Sequence, residues 1–516
     1  MDLSKYRIKE IFKKLLFFLI VAVIFSLAYR QAPLYVSNQN TKFLHGLAQA
    51  GYGSLNNDWT ANTIDPLPVF SFLVFVTYKF MHEYFFYLFY IIILGIFIVS
   101  LYKISDFLFN LNDSFLKKIL FLAILISFHS TIFDSLTYHI FGFSFEELLI
   151  EEGVAMQYLL GSYLQPCVFG VFLLFAIYLF LSKKYYFAVF SLIIASYIHS
   201  AYLFSSGMLT LCFMIIMYID KKGIKVPILI GLFAFILILP ILIYNFIYLG
   251  PTSPELEKQA LDILVNLRIP HHSDPALWFD FSVVVKMLII SLAIIIVRRS
   301  KLFLIILLPF LVAIISTIIY LFIKIDFLGL LAPWRMSVWL LPLSASIIIG
   351  YLVKFIFSKF NSFILKYNNS VSFIFMFILL LHVSYGLYGT TRQFKEYLNN
   401  HNGQMMDFIK KNNSPDDVYL VPTNMQNFRL DTGVPVFVSH KTHPYKDVEV
   451  IEWYDRIKLA EAFYNGNYDD KKNVLKQIRE KDKVTHIVIR SNSNLEYKDI
   501  LEKYYSDEDY TVYKIK

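Results

Sequence analysis

The sequence predicts an α-helical polytopic membrane bundle of about eleven transmembrane helices, followed by a small C-terminal α/β extracytoplasmic domain. Three observations carry this reading. The chain has 516 residues, of which 57% are hydrophobic and only 17% charged, and its mean hydropathy is +0.56. That is more apolar surface than one water-soluble core can bury, so the bilayer must be the solvent. Apolar runs of spanning length recur along residues 1–389, and the stretch 390–516 turns polar, with strand-like and helix-like segments in alternation.

The apolar runs are 15–29, 84–102, 116–133, 163–181, 185–200, 203–219, 226–247, 281–297, 302–322, 336–357 and 371–388. The first follows Lys5, Arg7, Lys9, Lys13 and Lys14, as a secretory leader would, but lacks a small-x-small cleavage site and reads as a retained helix. Basic residues fix the orientation. The N-terminus, Lys103 with Lys117 and Lys118, Lys183 with Lys184, Lys221 to Lys225, Arg298 to Lys301, and Lys354 to Lys366 all fall on one side when the N-terminus is cytoplasmic. Segment 68–81 is apolar but short and is closed by Lys79, His82 and Glu83, so it reads as a juxtamembrane or re-entrant helix. Outer loops then cover 30–67, 134–162 and 248–280.

In the tail, the pattern predicts helices over 393–411, 448–464 and 471–480, and strands over 418–422, 434–439, 485–490 and 510–515. The formal charge of +8 would suit nucleic acid in a soluble protein. Here the lysines and arginines sit in short loops where they set topology, so nucleic acid is not an expected partner. Cys167 and Cys212 lie in apolar runs with no zinc-ligand spacing around them.

Chemistry is expected where polar groups meet the outer face. The first outer loop offers His45, then Asp58 beside Trp59, then Asp65 before Pro66. A carboxylate beside an interfacial Trp suits a metal or a reacting hydroxyl near the headgroups, and a solvated loop anchored by that Trp is the competing reading. The second outer loop carries Glu146, Glu147, Glu151 and Glu152, which suit a divalent ion or simply an amphipathic helix displaying charge to water. Gln157 and Gln165 follow. His199, Arg268, His271, His272 and Arg335 bring basic groups to the same level, and Arg335 fits either a lipid phosphate or snorkelling to headgroups. Most ionisable residues lie at span ends, Lys286 being the main exception, and no repeat is evident, so a transporter is disfavoured.

The stretches GSLNNDWTANTIDPLPVF, YLQPCVFGVF, IHSAY, APWRMS and FRLDTGVPVFVSHKTHPYKDVEVIEWYDRI, set on this plan of acidic outer loops and a C-terminal α/β domain, carry a likeness to a known family. The chain resembles the GT-C superfamily of membrane glycosyltransferases, in an uncharacterised bacterial branch. The resemblance implies a multi-pass protein of the cell (inner) membrane that transfers a sugar from a polyprenyl-phosphate donor to a glycan, lipid or protein acceptor. It implies Asp58, with Asp65 second, as catalytic carboxylates, and Asp58 with Glu151 or Glu152 as ligands of a divalent cation such as Mg or Mn. It further implies His45, His199, Arg268, His271, Arg335 and Gln165 as substrate-binding groups. Where many members carry an acidic pair soon after the first span, this chain has Asn38 and Gln39. A polymerase or ligase of lipid-linked glycans, or a non-enzymatic membrane assembly or binding protein, is the alternative expectation.

Overall fold

A computed structural model describes residues 3–142, 152–399, 403–466, 468–492 and 500–516. The chain divides into two compact units, each built from three separate stretches. One comprises Met1–Ala32, Phe86–Ile241 and Ile269–Gln393; the other comprises Pro33–Phe85, Leu242–Arg268 and Phe394–Lys516. The expected boundary near 389 therefore captures only part of the division. The stretches Pro33–Phe85 and Leu242–Arg268, which include most of two expected outer loops, fold with the tail.

The first unit is a helical membrane bundle. Seven described helices are long and apolar enough to cross a bilayer, or eight when Phe115–Phe128 and Thr131–Phe141, bent by 57°, count as one span. Three of the eleven expected spans form shorter helices: Pro166–Leu181, Tyr185–Ile198 and Phe281–Ile296. The last two have 14 and 16 residues. At about 1.5 Å per residue these reach roughly 21–24 Å, short of a hydrocarbon core of about 30 Å. Packing inside the unit follows membrane rules, with small residues where backbones meet. Gly386 lies so close to the carbonyl oxygen of Leu27 that a Cβ there could not be accommodated. The rings of Phe180 and Phe213 stack with centroids 4.1 Å apart.

The second unit is α/β. Its sheet has the order β1-β2-β4-β3, with β1 at Tyr419–Leu420, β2 at His486–Arg490, β3 at Leu501–Ser506 and β4 at Tyr510–Ile515. β1 and β2 run parallel, while β4 is antiparallel to both β2 and β3. The helices Asp447–Asn465 and Tyr468–Lys481 pack on one apolar cluster around Trp453, Ile457, Phe463 and Ile487. Helix Gly403–Asn412 contributes Met405, Met406 and Ile409 to a second cluster with Phe428, Val488 and Val512. Ile263 and Leu264 of the third outer loop belong to the first cluster. Full burial of such side chains stabilises by about 1.5–3 kcal/mol each, which ties the loop to the tail.

The expected helix 393–411 is two helices, Asn368–Asn399 and Gly403–Asn412. The expected strand 434–439 makes one parallel bridge, Tyr419 to Val436, and no longer ladder. Pro435 has no N–H to give, and the N–H of Val436 donates to the Asp58 carboxylate. β3 was not expected; it is an edge strand with Glu502 and Lys503 exposed, so no alternating apolar pattern marks it. Segment 68–81 forms the 13-residue helix Pro68–Phe80, too short to span.

Candidate functional site

The α/β unit holds the first two carboxylates that sequence reasoning singled out, in different circumstances. Asp58 is fully buried. Its Oδ2 accepts from Arg429 Nε at 2.7 Å and from Val436 N at 3.0 Å, and its Oδ1 accepts from Ala61 N at 3.1 Å. Arg429 is buried as well and donates from Nη2 to Thr60 Oγ1 at 2.9 Å. The backbones close up beside this pair: Ser54 N donates to Gly433 O at 2.8 Å. Gly53 and Gly433 approach so closely, both at positive φ (+55° and +74°), that side chains are excluded. Expected to activate a hydroxyl or hold a metal, Asp58 instead spends its lone pairs on a structural ion pair, and a charge so enclosed and answered does not fit a cation ligand. Trp59, its neighbour, lies under the Arg456 guanidinium at 4.3 Å from the ring centroid rather than at a lipid interface.

Asp65 keeps more freedom. One carboxylate oxygen accepts from Leu67 N at 2.8 Å and stands 4.0 Å from His45 Nδ1. Burial pushes the His45 imidazole below its ordinary value against the opposing pull of Asp65, so His45 is neutral near pH 7. Its Nε2 is buried with no hydrogen-bond partner among the described residues. Glu449, near the start of helix Asp447–Asn465, receives Ile64 N on both oxygens at 3.0 and 3.2 Å. Burial pushes its carboxyl above the usual range. The hydroxyl of Tyr244 donates to the Asp65 carbonyl at 2.7 Å. The end of helix Lys225–Tyr244 and the tail thus both reach the chain around Asp65.

Cations gather in the same unit. Arg268 ends the π-helical turn Ile263–Arg268 and donates from Nε to His443 Nδ1 at 3.1 Å and from Nη2 to Lys441 O at 2.9 Å. Because His443 Nδ1 accepts, the ring proton sits on Nε2. Burial, then the charges of Arg268 and Lys42, hold His443 well below its ordinary value. Burial and Arg268 also lower His440 and Lys441, and Lys42 lowers Lys441 further. Lys42 acts on His45 too, so it belongs to the electrostatic surroundings of both groups. Sequence reasoning had singled out His45, Asp65 and Arg268, but as residues on outer loops of the bundle; all three fold in this unit. It missed His440, His443, Lys42 and Glu449 as site residues, although the run SHKTH between apolar stretches is a visible cluster of basic groups.

The other expected site residues lie in the helical unit. Glu152 meets Lys286 at 3.3 Å, and Lys286, almost wholly buried, also donates to Gly153 O at 3.1 Å. Having an ammonium as its counter-charge, Glu152 does not fit a divalent cation either. His272 shares a 2.8 Å hydrogen bond with Ala155 O, and its ring stands 4.0 Å from that of His271. His199 caps the turn Ser200–Tyr202 through Ala201 N at 3.3 Å. Gln165 is buried just before the turn Pro166–Gly170. Arg335 sits in the turn Pro333–Met336, its Nε buried without a partner among the described residues. Glu146, Glu147 and Glu151 lie outside the described residues. Among the described residues no group of three His, Cys, Asp or Glu is placed to hold a metal ion.

Residues 401–460 match a family model described as a domain of unknown function, DUF6798. The matched stretch carries Arg429, His440, Lys441, His443, Glu449 and Arg456, all of the tail's charged or imidazole groups placed in the site above. No curated protein matches the chain.

Proposed function

We propose that this chain is a multi-pass membrane enzyme of GT-C type. In this reading it has eleven spans, a cytoplasmic N-terminus and an extracytoplasmic α/β unit, and it resides in the cell (inner) membrane. It transfers a sugar from a polyprenyl-phosphate donor to an acceptor hydroxyl. The observation that supports it is the pairing of Asp65 with His45 in a unit that joins two outer loops to the tail. Asp65, rather than Asp58, takes the acceptor proton, and the neutral His45 orients it. The acceptor oxygen then bonds to the anomeric carbon as the bond from that carbon to the phosphate oxygen breaks, leaving the polyprenyl phosphate. Asp58 and Glu152 each face a protein cation, so this reading gives neither of them a metal ion.

Membranes containing Asp65→Asn or His45→Gln protein, assayed for release of polyprenyl phosphate, test this. Loss of a general base lowers turnover by about 10²–10⁴-fold, which is the result expected for Asp65→Asn. Undiminished release in both variants would remove the assignment.

A further inference from the structure

The crowding of cations around Arg268 has no use in the proton transfer above, and it stands whether or not the chain is an enzyme. Lys42 comes from the first outer loop, Arg268 from the third, and His440, Lys441 and His443 from the tail. They are held together by direct contacts: Arg268 to His443 and to the Lys441 carbonyl, and Thr41 Oγ1 to Thr442 Oγ1 at 3.3 Å. The Lys42 ammonium lies 5.8 Å from the Tyr445 ring centroid, and the His440 and His443 rings lie 6.0 and 5.9 Å from that of Trp453. No carboxylate within 4.0 Å pairs with Lys42, Arg268 or Lys441 among the described residues, while the neighbouring Lys446 has its own partner in Asp447 at 3.3 Å. From the acidic side Glu461 acts on His440 and the Tyr445 phenol on Arg268.

Like charges placed this close repel unless an anion answers them. Two further groups point the same way. The Asn40 amide, on the helix that carries Lys42, and the Ser439 hydroxyl, beside His440, are buried without a hydrogen-bond partner among the described residues. Buried donors are nearly always satisfied, and these two lie within two residues of Lys42 and His440 in the chain. Arg268 spends Nε and Nη2 on the protein and leaves Nη1 for a ligand. A compact oxyanion with several acceptor oxygens suits one guanidinium N–H, two ammonium groups and small neutral donors.

We propose that Lys42, Arg268 and Lys441, with His440 and His443, form a binding site for a phosphate or diphosphate group. The same chemistry reaches it from a lipid headgroup or from a soluble phosphate compound, and the two sources are separable. The full chain, reconstituted in phosphatidylcholine nanodiscs, is titrated with inorganic pyrophosphate by calorimetry at constant ionic strength. Saturable binding is expected, weakened roughly tenfold by Lys441→Gln and by Lys42→Gln, each of which deletes one charge-assisted contact. Neither lysine ammonium holds a hydrogen bond or ion pair among the described residues, so these variants leave the fold intact, which the far-UV circular dichroism spectrum checks. In a second arm, nanodiscs containing one-fifth phosphatidic acid replace the first set. If the lipid competes with pyrophosphate in the parent chain, the source is a headgroup; undisturbed binding identifies a soluble phosphate. Heat no larger than that from sodium chloride of equal ionic strength, or equal affinity in the parent and both variants, overturns the proposal.

Discussion

Each unit buries an ion pair, and the two pairs are built differently. In the α/β unit, Asp58 and Arg429 are both sealed from solvent, and the carboxylate also takes two backbone N–H groups. In the helical unit, Lys286 is buried but Glu152 keeps 19% of its side chain exposed, their contact is 3.3 Å, and Gly153 O supplies the remaining acceptor. The first pair is a closed joint, in which either partner alone would be a charge stranded in a low dielectric. The second is an open one, where water reaches the carboxylate and shares the load. Acidity alone therefore says little about chemistry; the number of lone pairs left over says more.

The sharpest way to break the contrast is to remove one partner of each pair. Arg429→Ala is expected to cost about 3–5 kcal/mol in the α/β unit, because Asp58 then lies buried without its counter-charge. The double substitution Asp58→Leu with Arg429→Met should recover most of that loss in denaturant unfolding followed by intrinsic fluorescence. If the double variant is as unstable as Arg429→Ala, the joint is not what holds the loop. Glu152→Gln in the helical unit is expected to cost less, about 1–3 kcal/mol, since the amide oxygen still faces Lys286 and the Gly153 carbonyl remains. A loss equal to that of Arg429→Ala would erase the distinction between closed and open.

A gentler probe is pH. His45 faces Asp65, the Thr63 backbone, Asp58 and Lys42; His443 faces Arg268, Lys42, His440 and the Lys441 backbone. Burial lowers both below their ordinary value, so from about pH 6.5 downward the unfolded chain takes up protons that the folded unit refuses. Stability is therefore full above that pH and is lost as pH falls through the lowered values. The unfolding midpoint of the α/β unit should drop between pH 7 and pH 5, and His45→Phe should flatten part of the drop. A slope unchanged by that substitution would show that His45 titrates normally.

Much of the fold could be read from residues in sequence. Long apolar runs marked the spans, and the alternation of the tail marked Asp447–Asn465 and His486–Arg490 within a few residues. The short helices Tyr185–Ile198 and Phe281–Ile296 match the runs 185–200 and 281–297 within two residues. The pairing of the first and third outer loops with the tail was invisible to local pattern, since Asp58 and Arg429 are 371 positions apart. Read alone, Asp58 beside Trp59 looks reactive. Arg429, set between Phe428 and Leu430, was the clue, because a buried guanidinium requires a carboxylate from somewhere. The basic cluster was half legible: Arg268 stood out, but nothing in its own loop says that it meets His443.

The three-part construction of the α/β unit has a consequence for how the protein is made. The segment bearing Asp58 leaves the ribosome 371 residues before Arg429 does. At typical elongation rates of about 5–20 residues per second, that interval is roughly 20–75 s. During it the nascent loop must wait, its carboxylate hydrated and the apolar residues that will meet the tail uncovered, while most of the helical unit is inserted. The tail, synthesised after both loops, completes the unit, so a product released before it would leave the earlier loops without a core.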